Sequence, residues 1–479
     1  MAVLALCPYS FSMQEILFWF RNDLRIHDNE ALLRATEIGP VLPVFVIDPS
    51  LFKETKLGFK KTGAFRTRFL LESLHDLRKN LRSRGADLIV RVGDPAQELA
   101  KIAKEREVLF AVASKEVTQE ETSLEFELSQ QMKRLNVDID LIWGATLYHV
   151  RDLPFQIKFL PDVFSDFRKI MDKQSVIRDL QRMPDTIPYV GQIEVGEIPS
   201  LTDLGFNEAE ADGNTFFKGG ETEGLARLND FVWKSKRIVT YKETRNGLLG
   251  NDFSSKLSAW LSLGCVSPRM VYHEIKRFEA EVEKNDSTYW LIFELIWRDY
   301  FHLVALKYGI RLFKRCGIQH DLNKTWKQDK KAFQRWMAGE TGIPMIDANM
   351  RELNETGFMS NRGRQLVASF FTKDLQLEWW WGAMYFESLL IDFDVCNNWG
   401  NWNYIAGIGN DPRPNRYFNI PLQGEKYDAD ARYIKSWVPE LKALPADKIH
   451  HFDKQNKEEL ESYGLHLGTD YPVPLVKFA

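Results

Sequence analysis

Residues 87–113 read DLIVRVGDPAQELAKIAKEREVLFAVA. A short apolar, β-branched run (Asp87–Val90) is followed by Asp94-Pro95 and then by a second such run, Val108–Ala113. Asp94 suits the N-cap of a helix and Pro95 its first position. Strand, helix, strand reads as two parallel strands joined by a crossover helix. The alternation extends both ways. Ile16–Phe20, Val41–Ile47 and Ile139–Trp143 are further strand-like runs, and Phe65–Leu81 and Glu120–Leu135 carry helical period. Residues 14–150 are therefore expected to form an α/β domain, a doubly wound parallel sheet of five strands. Ligands of such sheets sit beyond the carboxyl ends of the strands. No GxGxxG follows the first strand and no P-loop is present, so a standard NAD or ATP site is not supported.

Beyond this domain the chain changes character. Residues 151–222 carry Pro154, Pro161, Pro184, Pro188, Pro199 and the pair Gly219-Gly220, which argue against long regular elements. Phe155, Phe159, Phe164 and Phe167 are too apolar to hang in solvent, so a connector that wraps the surface is expected. Residues 223–479 are expected to form a helical domain. Helical period runs over Gly224–Trp233, Phe253–Leu263, Val271–Val282, Trp290–Tyr308, Lys330–Ala338, Met345–Thr356, Arg364–Asp374 and Met384–Leu390. Of fourteen tryptophans only Trp19 and Trp143 precede residue 230, so the two parts of the chain do different work.

Composition sets the class. With 479 residues, 44% hydrophobic and 27% charged, the chain is neither disordered, collagenous nor a disulfide scaffold. A net charge of −4 excludes holding nucleic acid by bulk charge but leaves room for a local basic face. Cys7, Cys265, Cys316 and Cys396 lie far apart without a CxxC, so no zinc or iron–sulfur site is expected, and four reduced thiols in a cytoplasmic protein are. No run of about eighteen apolar residues suggests a membrane span. Met1–Ser12 lacks a basic n-region and a cleavage site, and Met13 is an alternative start.

Three clusters invite chemistry. Tyr241 and the run Ser254-Ser255-Lys256-Leu257-Ser258 place hydroxyls, backbone N–H groups and an ammonium at a helix start, which suits an anion. Between 231 and 277 there are nine basic residues against three acidic ones. A helix cap with a solvated charged face is the competing reading. Glu294, Trp297 and Arg298 share a helix face within an otherwise apolar helix; they suit a polar ligand or an ordinary i, i+4 ion pair. Asn361-Arg362-Gly363-Arg364-Gln365, with Asp392, Asp394 and Asn397-Asn398-Trp399, suits a planar ligand with donors and acceptors on its edge. Metal binding is the weaker alternative, since no histidine is close in sequence.

At these residues the chain resembles the photolyase/cryptochrome family of flavoproteins, and within it the DASH cryptochromes. The carriers are WFRNDLR (19–25), WGATLYH (143–149), DLPF (152–155), GGETE (219–223), TGIPMIDANMREL (341–353), TGFMSNRGRQ (356–365), DFDVCNNWGNWNYIAGIGNDPR (392–413) and QGEKYDADARYIKSWVPEL (423–441). They span nearly the whole chain. The resemblance implies an α/β antenna domain, a connector and a helical domain that binds FAD. It implies that Tyr241, Ser254, Ser255, Lys256, Leu257 and Ser258 hold the FAD phosphates and ribose, and that Arg298 faces the cofactor. Arg364 and Asp392 would form a salt bridge beside the isoalloxazine, with Asp394 at its pyrimidine edge and Asn398 facing N5. Trp402, Trp379 and Trp326 would carry electrons from the surface; core packing is the plainer reading of any one tryptophan, and it is kept for Trp336, Trp380 and Trp381. Trp380 and Trp381 also flank the expected path, so a branch stays open. Glu116 would bind a 5,10-methenyltetrahydrofolate antenna, unless it is an ordinary surface glutamate.

For substrate, the resemblance places Glu294, Trp297, Asn361, Arg362, Gln365 and Tyr404 around the cavity above the flavin. Cyclobutane-dimer photolyases tend to have Met and Trp where this chain has Gln365 and Tyr404. A more polar, less stacked pocket should hold a flipped dimer weakly and favour single strands. (6-4) photolyases carry two histidines where this chain has Asn361 and Gln365, so that specificity is rejected. The expectation is a light-driven lyase acting on damaged or single-stranded DNA, with RNA as a second candidate and a monomer as the expected form. The rival is a blue-light photoreceptor. Signalling members often carry a long C-terminal tail; this chain stops at Ala479, which leans toward the enzyme.

Overall fold

The computed structural model describes residues 14–213, 216–413 and 416–478. Cys7 and the alternative start Met13 lie outside the described residues. Five strands, β1 (Ile16–Trp19), β2 (Val41–Ile47), β3 (Ile89–Val92), β4 (Phe110–Ser114) and β5 (Asp138–Ile142), form one sheet in the order β3-β2-β1-β4-β5. All neighbours are parallel, and Ile16 of β1 pairs with Val41 on one side and Phe110 on the other. The winding direction reverses where β1 meets β4, which is the place such sheets leave open for a ligand.

Helices α1 (Glu30–Ile38), α2 (Ala64–Arg82), α3 (Pro95–Glu105) and α4 (Gln119–Arg134) connect the strands. Their starts follow from local chemistry. Asn29 Oδ1 accepts the Leu32 N–H at 3.0 Å, and Asp94 Oδ1 accepts the Gln97 N–H at 2.9 Å with Pro95 next in line. Along β1, Ile16 and Phe18 enter one core while Leu17 and Trp19 enter the other, so both faces of the sheet are dry. The first of these cores continues without a break into the helical part of the chain.

Residues 175–200 run as extended chain along the sheet domain. Val41 donates to the Pro188 carbonyl and Val90 to the Val195 carbonyl, both at 2.7 Å. The prolines of this region did not suggest α5 (Phe164–Gln174), which forms because Phe164, Phe167 and Met171 recur at spacings of three and four and bury one stripe.

The helical part holds α6 (Glu221–Asn229), α7 (Tyr241–Thr244), α8 (Ser258–Ser262), α9 (Pro268–Glu281), α10 (Asp286–Tyr308), α11 (Lys330–Ala338), α12 (Pro344–Thr356), α13 (Asn361–Ser369), α14 (Trp379–Leu389) and α15 (Val395–Ala406), with shorter helices after them. Helix α10 is the axis and packs against α5, α7, α9 and α15. The helix expected over Phe253–Leu263 shrinks to α8, because Lys256 sits at φ +54°, a left-handed backbone that ends regular structure. One buried carboxylate ties the two parts together. Asp299 of α10 is 0% exposed and accepts the N–H groups of Leu147 at 2.9 Å and Tyr148 at 2.8 Å.

Candidate functional site

Two segments meet over the ring of Phe358. The Lys256 ammonium lies 4.3 Å from its centroid and the Arg364 guanidinium 5.3 Å. Lys256 is 5% exposed, and among the described residues no carboxylate pairs with it. Burial pushes its pKa down to about 8, partly offset by Glu352. The loop that carries it is pinned by Arg227, which donates to the carbonyls of Ser254 and Ser255 at 3.0 Å each. Ser255 and Leu257 are buried, Ser254 is partly so, and Ser258 opens α8 exposed. Tyr241 is buried at the start of α7, edge-on to Phe231.

Arg364 Nη2 donates to both carboxylate oxygens of Asp392 at 2.9 Å, so the expected pair forms. Asn398 is buried on α15 and donates to the Ala383 carbonyl at 3.1 Å. Asp394 turns elsewhere. It caps α15 by accepting the Asn397 N–H at 2.9 Å, and its Oδ2 lies 3.2 Å from His302 Nε2 and 3.5 Å from Arg298 Nη2. Arg298 also donates to the carbonyls of Ala145 at 2.5 Å and Leu261 at 3.3 Å, so it stitches the helical part to the sheet domain.

A second constellation gathers on α10, α13 and α15. Glu294 Oε1 is 2.6 Å from Arg245 Nη1 and accepts the Trp290 N–H at 3.2 Å. Burial raises the Glu294 pKa, against the opposing charge of Arg245. Trp297 meets Tyr404 edge to face at 6.0 Å, and the Tyr404 hydroxyl accepts from Arg416 Nη2 at 3.0 Å. Arg362 donates to Asn246 at 3.3 Å and stacks on Tyr427 at 4.7 Å. Burial foremost, and then the like charges of Arg245 and Arg416, lower its pKa against Tyr427, so the three guanidiniums feel one another; Arg245 pairs with Glu294 and Arg416 with Asp411. Asn361 is exposed and Gln365 partly buried on the same helix as Arg362. Arg245 and Arg416 were not singled out by sequence; the basic run 231–277 contained the first, and nothing local marks the second. One face of Trp297 is already stacked on Phe164, 3.6 Å between centroids and 10° between planes, and Phe301 lies near-parallel at 5.7 Å, so the indole is only partly exposed.

Of the tryptophans expected to relay electrons, Trp402 and Trp379 are buried and Trp326 is partly buried. Trp402 sits against Gly382, one turn along α14 from Trp379. Trp379 touches Trp399 at 5.7 Å and Trp380 at 6.4 Å, and Trp402 touches Trp336 at 6.4 Å.

Between the two parts of the chain opens a cavity of ≈ 1670 Å³. It lies beyond the carboxyl ends of the strands, lined there by Asn22 and Glu116, and on the helical side by Arg298, His302, Asp394 and Trp326. Glu116 is 9% exposed and accepts from Asn22 Nδ2 at 3.2 Å. Burial, reinforced by the like charge of Glu121, raises its pKa to about 8, so it holds its proton at neutral pH. Cys265, Cys316 and Cys396 are free thiols. No helix among the described residues is long and apolar enough to cross a membrane.

Known proteins share this architecture. A family profile described as the FAD binding domain of DNA photolyase matches residues 290–479, and one described as DNA photolyase matches residues 16–186. A cryptochrome DASH from Gloeobacter violaceus is 48% identical over 468 residues, 97% of this chain and 93% of its own. The crystal structure of a Synechocystis cryptochrome superposes with a TM-score of 0.94 at 48% identity, covering 97% of each chain. A bacterial class III photolyase from Agrobacterium tumefaciens superposes at 0.86 with 28% identity, over 99% of this chain and 96% of its own.

Proposed function

We propose that this chain, which belongs to the photolyase/cryptochrome family and matches DASH cryptochromes along nearly its whole length, is a light-driven lyase that splits cyclobutane pyrimidine dimers, preferentially in single-stranded DNA. The observation that carries this is that Arg245 pairs with Glu294 and Arg416 with Tyr404, the edge-on neighbour of Trp297, while Arg362 feels the charge of both guanidiniums. Guanidiniums hold a phosphodiester backbone without regard to sequence, while a carboxylate and an indole face can engage a base.

FAD supplies the light absorption and the electron when bound. The residues present fit it. Lys256 is a buried ammonium with no direct ion pair, only partly offset by Glu352, an unfavourable state that a phosphate would relieve. Tyr241, Ser254, Ser255, Leu257 and Ser258 surround that position in the chain, and the Arg364–Asp392 pair and Asn398 are offered as contacts for the ring system. Asp394 and Arg298 are proposed to reach the cofactor from the seam between the two parts of the chain.

Glu294, its pKa raised by burial, holds a hydrogen-bonding carboxyl toward a pyrimidine edge, and Arg245 fixes its orientation. Trp297, partly exposed beside Phe164 and Phe301, is proposed to stack on the base through the part of its indole they leave uncovered. Arg362 meets phosphate, with Asn361, Gln365 and Tyr404 completing a polar wall that holds a flipped base weakly. Trp402, Trp379 and Trp326 are the proposed electron relay, and protonated Glu116 the contact for a folate antenna in the cavity between the domains. We place the chain in the cytoplasm on its free thiols, and propose a monomer, which its mass in solution would test.

The deciding experiment illuminates the reduced protein with one thymine dimer, in single-stranded and in duplex oligonucleotides. Repair of the single strand alone is expected. Equal repair would keep the lyase and remove the role given to Gln365 and Tyr404. No repair by protein that holds photoreducible FAD would shift the assignment to a blue-light photoreceptor that binds nucleic acid, the function suggested by the cryptochrome name of its relatives.

A further inference from the structure

In the seam between α10 and α15 three donors meet, one of them the proposed cofactor neighbour Asp394. His302 Nε2, a carboxylate oxygen of Asp394 and Cys396 Sγ all lie within 4.8 Å of one another. They reach this point from two directions: His302 projects from α10, Asp394 caps α15, and Cys396 lies in its first turn. The separation of His302 Nε2 and Asp394 Oδ2 is 3.2 Å. Two ligands of a tetrahedral zinc, with bonds of about 2.0–2.1 Å, stand roughly 3.3 Å apart.

The contact is not an ordinary hydrogen bond. His302 is 6% exposed, and its Nε2 has no hydrogen-bond partner despite the neighbouring oxygen. A buried ring nitrogen left unsatisfied costs free energy, so the space between these donors calls for an occupant. Asp394 is oriented by the Asn397 N–H at 2.9 Å on Oδ1, and Arg298 stands 3.5 Å from Oδ2, the oxygen that also faces His302. Groups that fix a ligating carboxylate in this way are part of a working metal site.

All three residues line the cavity between the domains, so a fourth coordination position opens onto it. We propose that His302, Asp394 and Cys396 form a site for one divalent ion of the zinc class, completed by water or by a donor atom of whatever occupies the cavity. Nitrogen, sulfur and oxygen together select zinc over magnesium and calcium, which take oxygen alone. Binding releases the Cys396 thiol proton to solvent and leaves no net change in oxidation state.

The test uses the FAD-loaded protein, stripped with a chelator and titrated with zinc chloride against a chromophoric competitor. One zinc per chain is expected, and zinc-edge X-ray absorption should show one sulfur at about 2.3 Å beside nitrogen and oxygen at about 2.0 Å. Cys396→Ser and His302→Ala should each weaken binding at least tenfold, with flavin content certifying that they fold. Cys316→Ser, at a second Cys–His contact among the described residues, should leave binding unchanged. Absence of zinc binding, a zinc shell without sulfur, or loss of zinc only in Cys316→Ser would each overturn the site. Should the variants not fold, the sulfur shell of the unaltered protein decides alone.

Discussion

At the scale of single residues, Lys256 and Glu294 are the sharpest cases. Lys256 is held in a cage of aromatic rings at φ +54° without a direct ion pair, its charge only partly offset by Glu352. Replacing it by Met keeps the volume and removes the buried charge. Flavin affinity should then fall about ten- to a hundredfold, the loss of about 1.5–3 kcal/mol carried by a hydrogen bond to a charged group. The cofactor-free fold should not be weakened, because an unpaired buried ammonium is itself unfavourable. Equilibrium titration with FAD and denaturant midpoints read both effects; unchanged affinity would remove Lys256 from the phosphate site. For Glu294→Gln, repair of a single-stranded dimer should slow roughly tenfold or more while FAD binding is kept, since only the charge and the proton change. A full repair rate in that variant would exclude the carboxyl from the reaction.

At the scale of elements, α14 and α15 approach closely because Gly382 has no side chain. A Cβ there would stand 2.3 Å from Trp402 Cη2, so Gly382→Ala must displace the indole. We expect a loss of about 1–3 kcal/mol in stability, the usual result of overpacking, together with slower flavin photoreduction. Photoreduction at the original rate would show that Trp402 is not on the electron path. The elements also show where local pattern misleads. Prolines obscured α5, whose apolar stripe was present in Phe164, Phe167 and Met171. The run expected to be helical from Arg364 to Asp374 divides into α13 and a wider turn closed by Leu375 N–H to Phe370 O at 3.0 Å, a change of hydrogen-bond step that side-chain period does not reveal.

At the scale of the whole molecule, buried carboxyls join the sheet domain to the helices and make stability depend on pH. Burial raises Asp299 and Glu352 to about 7 and Glu116 to about 8. In the unfolded chain such groups titrate near 4. Between those values the folded protein holds more protons than the unfolded one, so the free energy of unfolding falls as pH rises. His149 and His302, lowered to about 4 by burial, act in the opposite sense but only below about 6.5, where the unfolded imidazole titrates. Urea midpoints should therefore decline from about pH 6.5 to about pH 7.5, above which Lys256 and Lys373, lowered to about 8 by burial, act in the opposite sense. Asp299→Asn should flatten part of that decline and cost about 1–3 kcal/mol at pH 6.5, since one of two backbone N–H groups loses its acceptor. A midpoint that rises over this interval would contradict the protonated carboxyls.

Sequence by itself determined the strands, most helices and the α/β class, because caps such as Asp94-Pro95 and the periods of two and 3.6 act over a few residues. The residues proposed for the flavin region came from the resemblance carried by contiguous motifs, and of these Arg364 and Asp392 do pair. Tertiary structure alone decided which charges compensate one another. Arg245 reaches Glu294, Arg416 reaches Tyr404, and His302 meets Asp394 and Cys396 across a helix seam. It also covered one face of Trp297 with Phe164, left Lys256 without a direct ion pair, and opened the cavity where the sheet reverses. The reason is range. Backbone preference is settled within a turn or two, whereas burial and charge pairing depend on residues brought together only when the sheet and the helices pack.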